Sequence, residues 1–292
     1  MDVYLLDGTY ELFRHFYAVP PHRDRDGNEA GAVVGVLESV LRLFGEGVTH
    51  LGVATDHVIE SFRNDLWPGY KTGEGIDPAL FGQFGPLEDA LQALGVRVWP
   101  MVDLEADDAL AAAAVLAAED ASVRRVVIAT PDKDLSQCVG GKIVQLDRRN
   151  RETRDAAAVE ERFGVPPAAI PDYLALVGDS ADGFPGLPGW GAKSTATVLA
   201  RYGHIEAIPA DPDAWDVRVR GAAKLAATLA EQRDLAFLFR DLATLRTDAE
   251  VFASVDELRW TGPTADFAAV AEQLRAPALL TRAESVAQRA SA

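Results

Sequence analysis

Val3-Tyr4-Leu5-Leu6-Asp7-Gly8 places four hydrophobic residues, a carboxylate and a glycine near the start of the chain. A run that short and that uniformly apolar reads as a strand covered on both faces, the kind found in parallel sheets with crossover helices. The pattern recurs. Leu51-Gly52-Val53-Ala54 leads to Asp56, and Arg125 to Ala129 leads to Asp132 and Asp134. Val96 to Trp99 and Ile143 to Leu146 read as further strands, while Gly31 to Phe44, Leu87 to Leu94 and Ala106 to Ala118 carry the helical period. Strands alternating with helices in this way predict an α/β domain.

Past Asp147 the strand pattern stops, and a helical region is expected from Asp155 onward. Gly178 to Gly191 is too rich in glycine and proline for a helix, so it reads as a loop between helical Asp172–Val177 and Lys193–Tyr202. Ala222 to Leu242 reads as one long helix. The 292 residues, 48% hydrophobic and 25% charged, have an ordinary globular composition, and no apolar run approaches the ~20 residues of a membrane span. The acidic N-terminus MDVYLLDGTYELF is unlike a signal peptide, and the lone Cys138 has no partner for an internal disulfide. A cytoplasmic protein without membrane association is expected.

The carboxylates decide the chemistry. In an open α/β sheet the carboxyl ends of parallel strands converge on one edge. Asp7, Asp56, Asp132 and Asp134 follow strands, and Glu105, Asp107 and Asp108 open a helix, with Glu105 and Asp108 spaced to share a face. Asp179 and Asp182 lie in the glycine-rich loop. A single Asp after a strand is more often a helix N-cap than a ligand. Several together repel unless cations neutralise them, and oxygen-only ligation suits Mg²⁺ or Mn²⁺. The sequence has no HExxH pair and no CxxC, which argues against zinc.

Gly186-Leu187-Pro188-Gly189-Trp190-Gly191-Ala192-Lys193-Ser194 approaches a phosphate-binding P-loop, but Ala192 stands where that motif demands lysine and no strand precedes it. ATP binding is excluded on that ground. What remains is a glycine turn leading into a helix start, either a phosphate cradle or an ordinary helical hairpin.

Taken in order, Leu5-Leu6-Asp7-Gly8, Ser61-Phe62-Arg63, Pro68-Gly69-Tyr70-Lys71, Glu105-Ala106-Asp107-Asp108, Asp132-Lys133-Asp134-Leu135, Gly178-Asp179-Ser180-Ala181-Asp182 and Pro185 to Lys193 resemble the motifs of the bacterial 5′ nuclease family. These are the flap endonuclease/5′-3′ exonuclease domains of DNA polymerase I and their stand-alone relatives. The resemblance runs from Val3 to about Leu245 and implies a free-standing member without a polymerase domain.

It implies a PIN-like (resolvase-like) catalytic domain over 1–154, with a helical arch at about 71–92. A helical region over 155–292 would contain a helix-three-turn-helix at about 172–203. It further implies a metal-dependent nuclease hydrolysing DNA at 5′ ends, flaps, nicks or gaps with two or more Mg²⁺ or Mn²⁺, and K⁺ at the hairpin. By the same resemblance Asp7, Asp56, Glu105, Asp107, Asp108, Asp132, Asp134, Asp179 and Asp182 are the metal-site acids. Lys71 and Arg63 are catalytic, and Tyr10, Phe13 and Tyr17 lie near the 5′ end. Gly186, Gly189, Gly191, Lys193, Ser194 and Thr195 face duplex DNA.

Two features sit apart from that pattern. The net charge of −17 argues against a general polyanion binder unless the charge is strongly segregated. Contact with DNA is therefore confined to a narrow track, for which Arg63, Lys71, Lys193, Arg201, Arg218, Arg220 and Lys224 are the candidates. Lys71-Thr72-Gly73-Glu74 also puts an acid where the family commonly has arginine, and no Lys or Arg follows before Leu94. With its glycines and prolines, that stretch is expected to be a poor helix. The rival reading is a weakly catalytic or non-catalytic duplex-DNA-binding protein with a degenerate arch. Retention of every acid opposes it, because clustered carboxylates without metal destabilise a fold.

Overall fold

The computed structural model describes residues 1–290. Along the chain run β1 (Asp2–Asp7), α1 (Gly8–Phe16), α2 (Gly31–Gly45), β2 (His50–Asp56), α3 (Phe62–Leu66), α4 (Pro78–Phe81) and α5 (Phe84–Ala93). Next come β3 (Arg97–Met101), α6 (Ala106–Glu119), β4 (Arg125–Ala129), β5 (Ile143–Asp147) and β6 (Glu152–Arg154). The remaining helices are α7 (Ala156–Phe163), α8 (Ile170–Val177), α9 (Ala192–Tyr202), α10 (Ala222–Glu231), α11 (Arg233–Ala243), α12 (Phe267–Gln273) and α13 (Ala278–Ala290). Two compact units interleave in sequence: Met1–Ile59, Gly73–Thr130 and the chain from Thr247 form one, and Glu60–Thr72 with Pro131–Arg246 form the other.

The first unit holds a parallel array in the order β3-β2-β1-β4, with Leu5 opposite Gly52 on one side and Ile128 on the other. Val3, Leu5 and Leu6 are fully buried, which is why β1 reads as a continuous apolar run. Gly52 is required by its neighbour, since a Cβ there would lie 2.1 Å from the Trp99 ring. Trp99 in turn donates its indole N–H to the Val251 carbonyl at 2.7 Å, tying the returning C-terminal segment to β3. The weakly patterned end of the chain thus supplies core. Trp260 stacks on Phe44 at 4.0 Å, and Phe267, Leu279 and Ala283 are buried with α2 and α5.

Residues 78–93 correct the expectation of a poorly helical arch. Leu80, Phe84, Leu87 and Leu91 are core residues of the first unit, and buried Gln83 caps α2 by accepting the Ala32 and Val33 amides at 3.0 and 3.3 Å. Burial of that apolar stripe outweighs the low helix propensity of the glycines. Only 71–77 remains outside helices in the predicted arch segment before α4 begins.

In the second unit β5 and β6 pair antiparallel, with Gln145 opposite Arg154. The strand pattern therefore continues one hairpin beyond Asp147. The helix expected over 222–242 breaks at Gln232, whose backbone (φ −115°, ψ 29°) leaves helical space and divides α10 from α11. Ile170, Leu174, Phe184, Val198, Leu199 and Phe239 form part of a core separate from that of the first unit.

Candidate metal centre

In the first unit the acids sit at the carboxyl ends of the parallel strands. Asp7 ends β1 and caps α1: its Oδ1 accepts the Tyr10 amide at 2.8 Å and its Oδ2 the Thr130 hydroxyl at 2.9 Å. Asp56 ends β2, and its Oδ1 accepts the Ala106 amide at 2.9 Å, holding the start of α6. Glu105 is the N-cap residue of α6, outside the helix, and Asp108 closes a capping box by accepting the Glu105 amide at 3.0 Å. Asp108 is fully buried, whereas Asp107 in the same first turn is partly exposed. Glu105 and Asp108 are thus joined by a cap, rather than sharing a helical face.

Asp132, Asp134, Asp179 and Asp182 belong to the second unit. Asp132 accepts the Asp134 amide at 2.9 Å, and the turn they form is held by buried Gln145, which accepts the Ser136 hydroxyl at 3.0 Å and donates to the Asp132 carbonyl. Asp179 and Phe184 exchange backbone hydrogen bonds of 2.8 and 3.0 Å, pinching off the loop that carries Asp182. Gly183 (φ +82°) makes that loop possible, because a Cβ there would lie 2.0 Å from the Gly69 carbonyl oxygen.

Together these turns bring Asp134, Asp179 and Asp182 to a group whose ligand oxygens lie within 4.8 Å of one another. Burial pushes the Asp134 carboxyl well above the usual range, and the charges of Asp132, Asp182 and Asp179 add to it against the pull of Lys133. Asp134 Oδ1 is buried with no hydrogen-bond partner. A buried, orphaned oxygen among hard oxygen donors fits a divalent cation of the Mg²⁺ or Mn²⁺ type.

Two lysines reach this group. Lys71 Nζ lies 3.1 Å from Asp182 Oδ1, and Lys133 contacts Asp179 Oδ2. Burial pulls the Lys133 pKa down, but the bond to Asp179 and the fields of Asp134, Asp179 and Asp132 carry it above its ordinary value. Lys133 stands inside a motif legible in the sequence, but nothing in its spacing marks it as a contact of Asp179.

Other predicted positions fall elsewhere. Arg63 is 1% exposed and donates to the Leu242 and Thr244 carbonyls at 2.8 and 3.2 Å, so it staples the end of α11 and is closed to a phosphate. Thr195 is fully buried and Gly186 is packed against Gly178, whereas Gly189, Gly191 and Lys193 are exposed and Ser194 is half-buried. Phe13 packs on the first core edge-on to Phe84, Tyr10 is half-buried and Tyr17 is 75% exposed.

A cavity of about 630 Å³ at the start of α9 is lined by Gly189, Gly191, Lys193, Arg218 and Arg220 among others. None of these three cations is ion-paired among the described residues, whereas Arg201 is paired to Asp216. A second feature that the sequence alone did not mark is buried Glu88, which accepts from the Thr55 hydroxyl and bonds His57 Nδ1, both at 2.8 Å.

The family model described as 5′-3′ exonuclease, N-terminal resolvase-like domain, matches residues 2–164. The one described as 5′-3′ exonuclease, C-terminal SAM fold, matches 165–266. The chain belongs to the 5′-3′ exonuclease family. A 5′-3′ exonuclease of Aquifex aeolicus is 31% identical over 265 residues, covering 89% of this chain and 87% of that protein. DNA polymerase I of Pseudomonas aeruginosa is 38% identical over 258 residues, which cover 87% of this chain and 28% of the polymerase. The chain thus spans little more than a quarter of that relative's length.

Among solved structures, the T5 5′-exonuclease with zinc bound superposes with a TM-score of 0.66 at 19% identity, covering 99% of this chain and 100% of that one. The catalytic core of Rad2 in complex with a DNA substrate gives 0.63 at 16%, covering 98% and 91%. Both likenesses concern the fold: a resolvase-like α/β domain with a helical SAM-like region. Among the described residues no helix is long and apolar enough to cross a membrane.

Proposed function

We propose that this exonuclease-family chain is a divalent-metal-dependent 5′ nuclease that hydrolyses DNA phosphodiester bonds at 5′ ends, flaps, nicks or gaps. The observation that carries the reading is the oxygen-only group Asp134, Asp179 and Asp182, within 4.8 Å, with the orphaned Asp134 oxygen in its midst. These three, with Asp132, are the ligands assigned to the second unit, and Asp7, Asp56, Glu105, Asp107 and Asp108 are the acids assigned to the first. Mg²⁺ or Mn²⁺ held by such acids supplies positive charge that favours ionised water and stabilises a leaving 3′ oxygen. Lys71, at the edge of the acidic group, is assigned to the scissile phosphate, where its ammonium offsets developing charge.

Duplex DNA is assigned to the cavity at the start of α9, where Lys193, Arg218 and Arg220 offer unpaired cations in an otherwise acidic chain. K⁺ at the hairpin, a catalytic domain over 1–154 joined to a helical region over 155–292 that adds Asp179 and Asp182 to the metal centre and binds duplex DNA, and residence in the cytoplasm complete the reading. It is tested with 5′-labelled nicked and flap duplexes incubated with Mn²⁺ and, in parallel, with EDTA. Labelled products that appear only with the metal are expected. Intact substrate in both arms at micromolar protein overturns the reading.

A further inference from the structure

The acidic group of the second unit is already furnished with cations from the chain itself. The Lys71 backbone N–H donates to the Asp182 carbonyl at 3.1 Å, and its ammonium lies 3.1 Å from Asp182 Oδ1. Lys133 reaches the group from the turn between Asp132 and Asp134 and lies against Asp179 Oδ2. The other Asp179 oxygen is committed to the Ala181 amide at 3.0 Å. Asp179 Oδ2 is buried and makes no other hydrogen bond, so the Lys133 ammonium is the cation beside it in the ion-free centre. The Lys133 side chain is only 33% exposed, and an ammonium is desolvated to that degree at a cost that only adjacent carboxylates offset.

We infer that Lys133 is a built-in counter-cation of the ion-free centre: it stabilises Asp179 when no divalent ion is present and gives up Asp179 Oδ2 when one binds. The inference rests on the metal-centre reading above and concerns a residue to which that reading gives no role. Its physical content is competition. Three carboxylates within 4.8 Å repel one another, and Lys133 relieves that repulsion in the empty centre. The same positive charge opposes the arrival of a second cation, so Lys133 lowers metal affinity while it raises ion-free stability. A lysine that merely orders Asp179 would do the reverse, because its removal would loosen a ligand and weaken metal binding.

The test is calorimetric titration of Mn²⁺ into the ion-free full-length protein, paired with its melting temperature with and without Mn²⁺. Lys133→Met, which keeps the length of the side chain and removes the charge, is expected to bind Mn²⁺ about tenfold tighter, as one unit charge a few ångströms away implies after screening. Its ion-free melting temperature falls and the rise on adding Mn²⁺ grows. Lys133→Arg, which keeps the charge, stays near wild type. Lys133→Gln, which keeps a donor for Asp179 without the charge, repeats the measurement if the Met variant does not fold without ions. Unchanged or weaker Mn²⁺ binding in the charge-removing variants overturns this inference alone. A wild type that takes up no Mn²⁺ overturns the metal centre and this inference with it.

Discussion

Asp134 holds its carboxyl in a buried place among three other acids, and its pKa rises because burial and those neighbours both disfavour the anion. The sign of the consequence follows from linkage. Below the ordinary aspartate value of 3.8 the group is protonated whether the chain is folded or not, and it contributes nothing to pH dependence. As pH rises from there toward the raised folded value, the unfolded chain ionises first, so this residue makes the ion-free protein progressively less stable. Asp134→Asn removes that penalty. Its ion-free melting temperature should exceed that of wild type at pH 7 and converge with it near pH 4, which thermal scans across that range will check. The same variant loses a ligand of the proposed centre, so cleavage should fall by roughly a hundredfold or more while duplex binding persists. Near-normal turnover would remove Asp134 from the chemistry. Because protons and metal compete for this carboxylate, the Mn²⁺ concentration giving half-maximal activity should fall as pH rises.

The loop 178–186 shows how backbone geometry carries side chains that the sequence can only enumerate. Gly183 lies at φ +82°, and any Cβ there would collide with the Gly69 carbonyl oxygen in the segment leading to Lys71. Gly183→Ala should therefore cost about 1–3 kcal/mol. The loss should appear first as weaker Mn²⁺ stabilisation, read by melting with and without the ion, because Asp182 is the adjacent residue.

The non-helical stretch before α10 obeys a different rule. Val217 and Val219 pack on the core while Arg218 and Arg220 are exposed, so both arginines share the outer face. Replacing both by alanine should lower the log–log salt slope of duplex binding by roughly 1.8, about 0.9 for each phosphate that the protein no longer neutralises, as measured by anisotropy titrations.

Local reading of the sequence went only part of the way here. Strands β1 and β2 are short apolar runs ending in an acid and β4 is one that leads within a few residues to Asp132 and Asp134, and their pattern suffices to find them. Helices α4 and α5 were obscured by glycines and prolines whose weak propensity is overruled by burial of Leu80, Phe84, Leu87 and Leu91. The acids of the site were legible because carboxylates are chemically conspicuous. The core role of Arg63 was not, since the partners that bury it include backbone carbonyls about 180 residues away.

Charge is distributed over the chain in a way that bears on which DNA ends the proposed nuclease would use. The chain has a net charge of −17, yet its unpaired cations include the three at the cavity of the second unit, while no Lys or Arg occurs from Thr72 to Leu94. On the proposed function, a protein so arranged would draw its salt-dependent affinity from the duplex and little from an unpaired 5′ strand. Glu74 sharpens the contrast: it is exposed, in the non-helical stretch three residues beyond Lys71, and an acid there repels the phosphates of a strand led past Lys71. For a solvated side chain that repulsion is small, well under ~1 kcal/mol, and it is screened beyond ~10 Å at 0.1 M salt. Nicked and recessed duplexes should accordingly be cut more readily than long 5′ flaps. Glu74→Arg should raise the flap-to-nick ratio of kcat/KM by about two- to fivefold at low salt and much less at high salt, because a reversed surface charge acts only over the screening length. The nicked substrate is the internal control: it carries the same duplex contacts without the flap, so its rate should hardly move. A ratio that is unchanged at both salt concentrations would mean that phosphates of the flap never approach Glu74. The preference for duplex ends would then have to originate in the Lys193–Arg218–Arg220 cavity alone, and the double arginine variant would reduce nick cleavage more than flap cleavage.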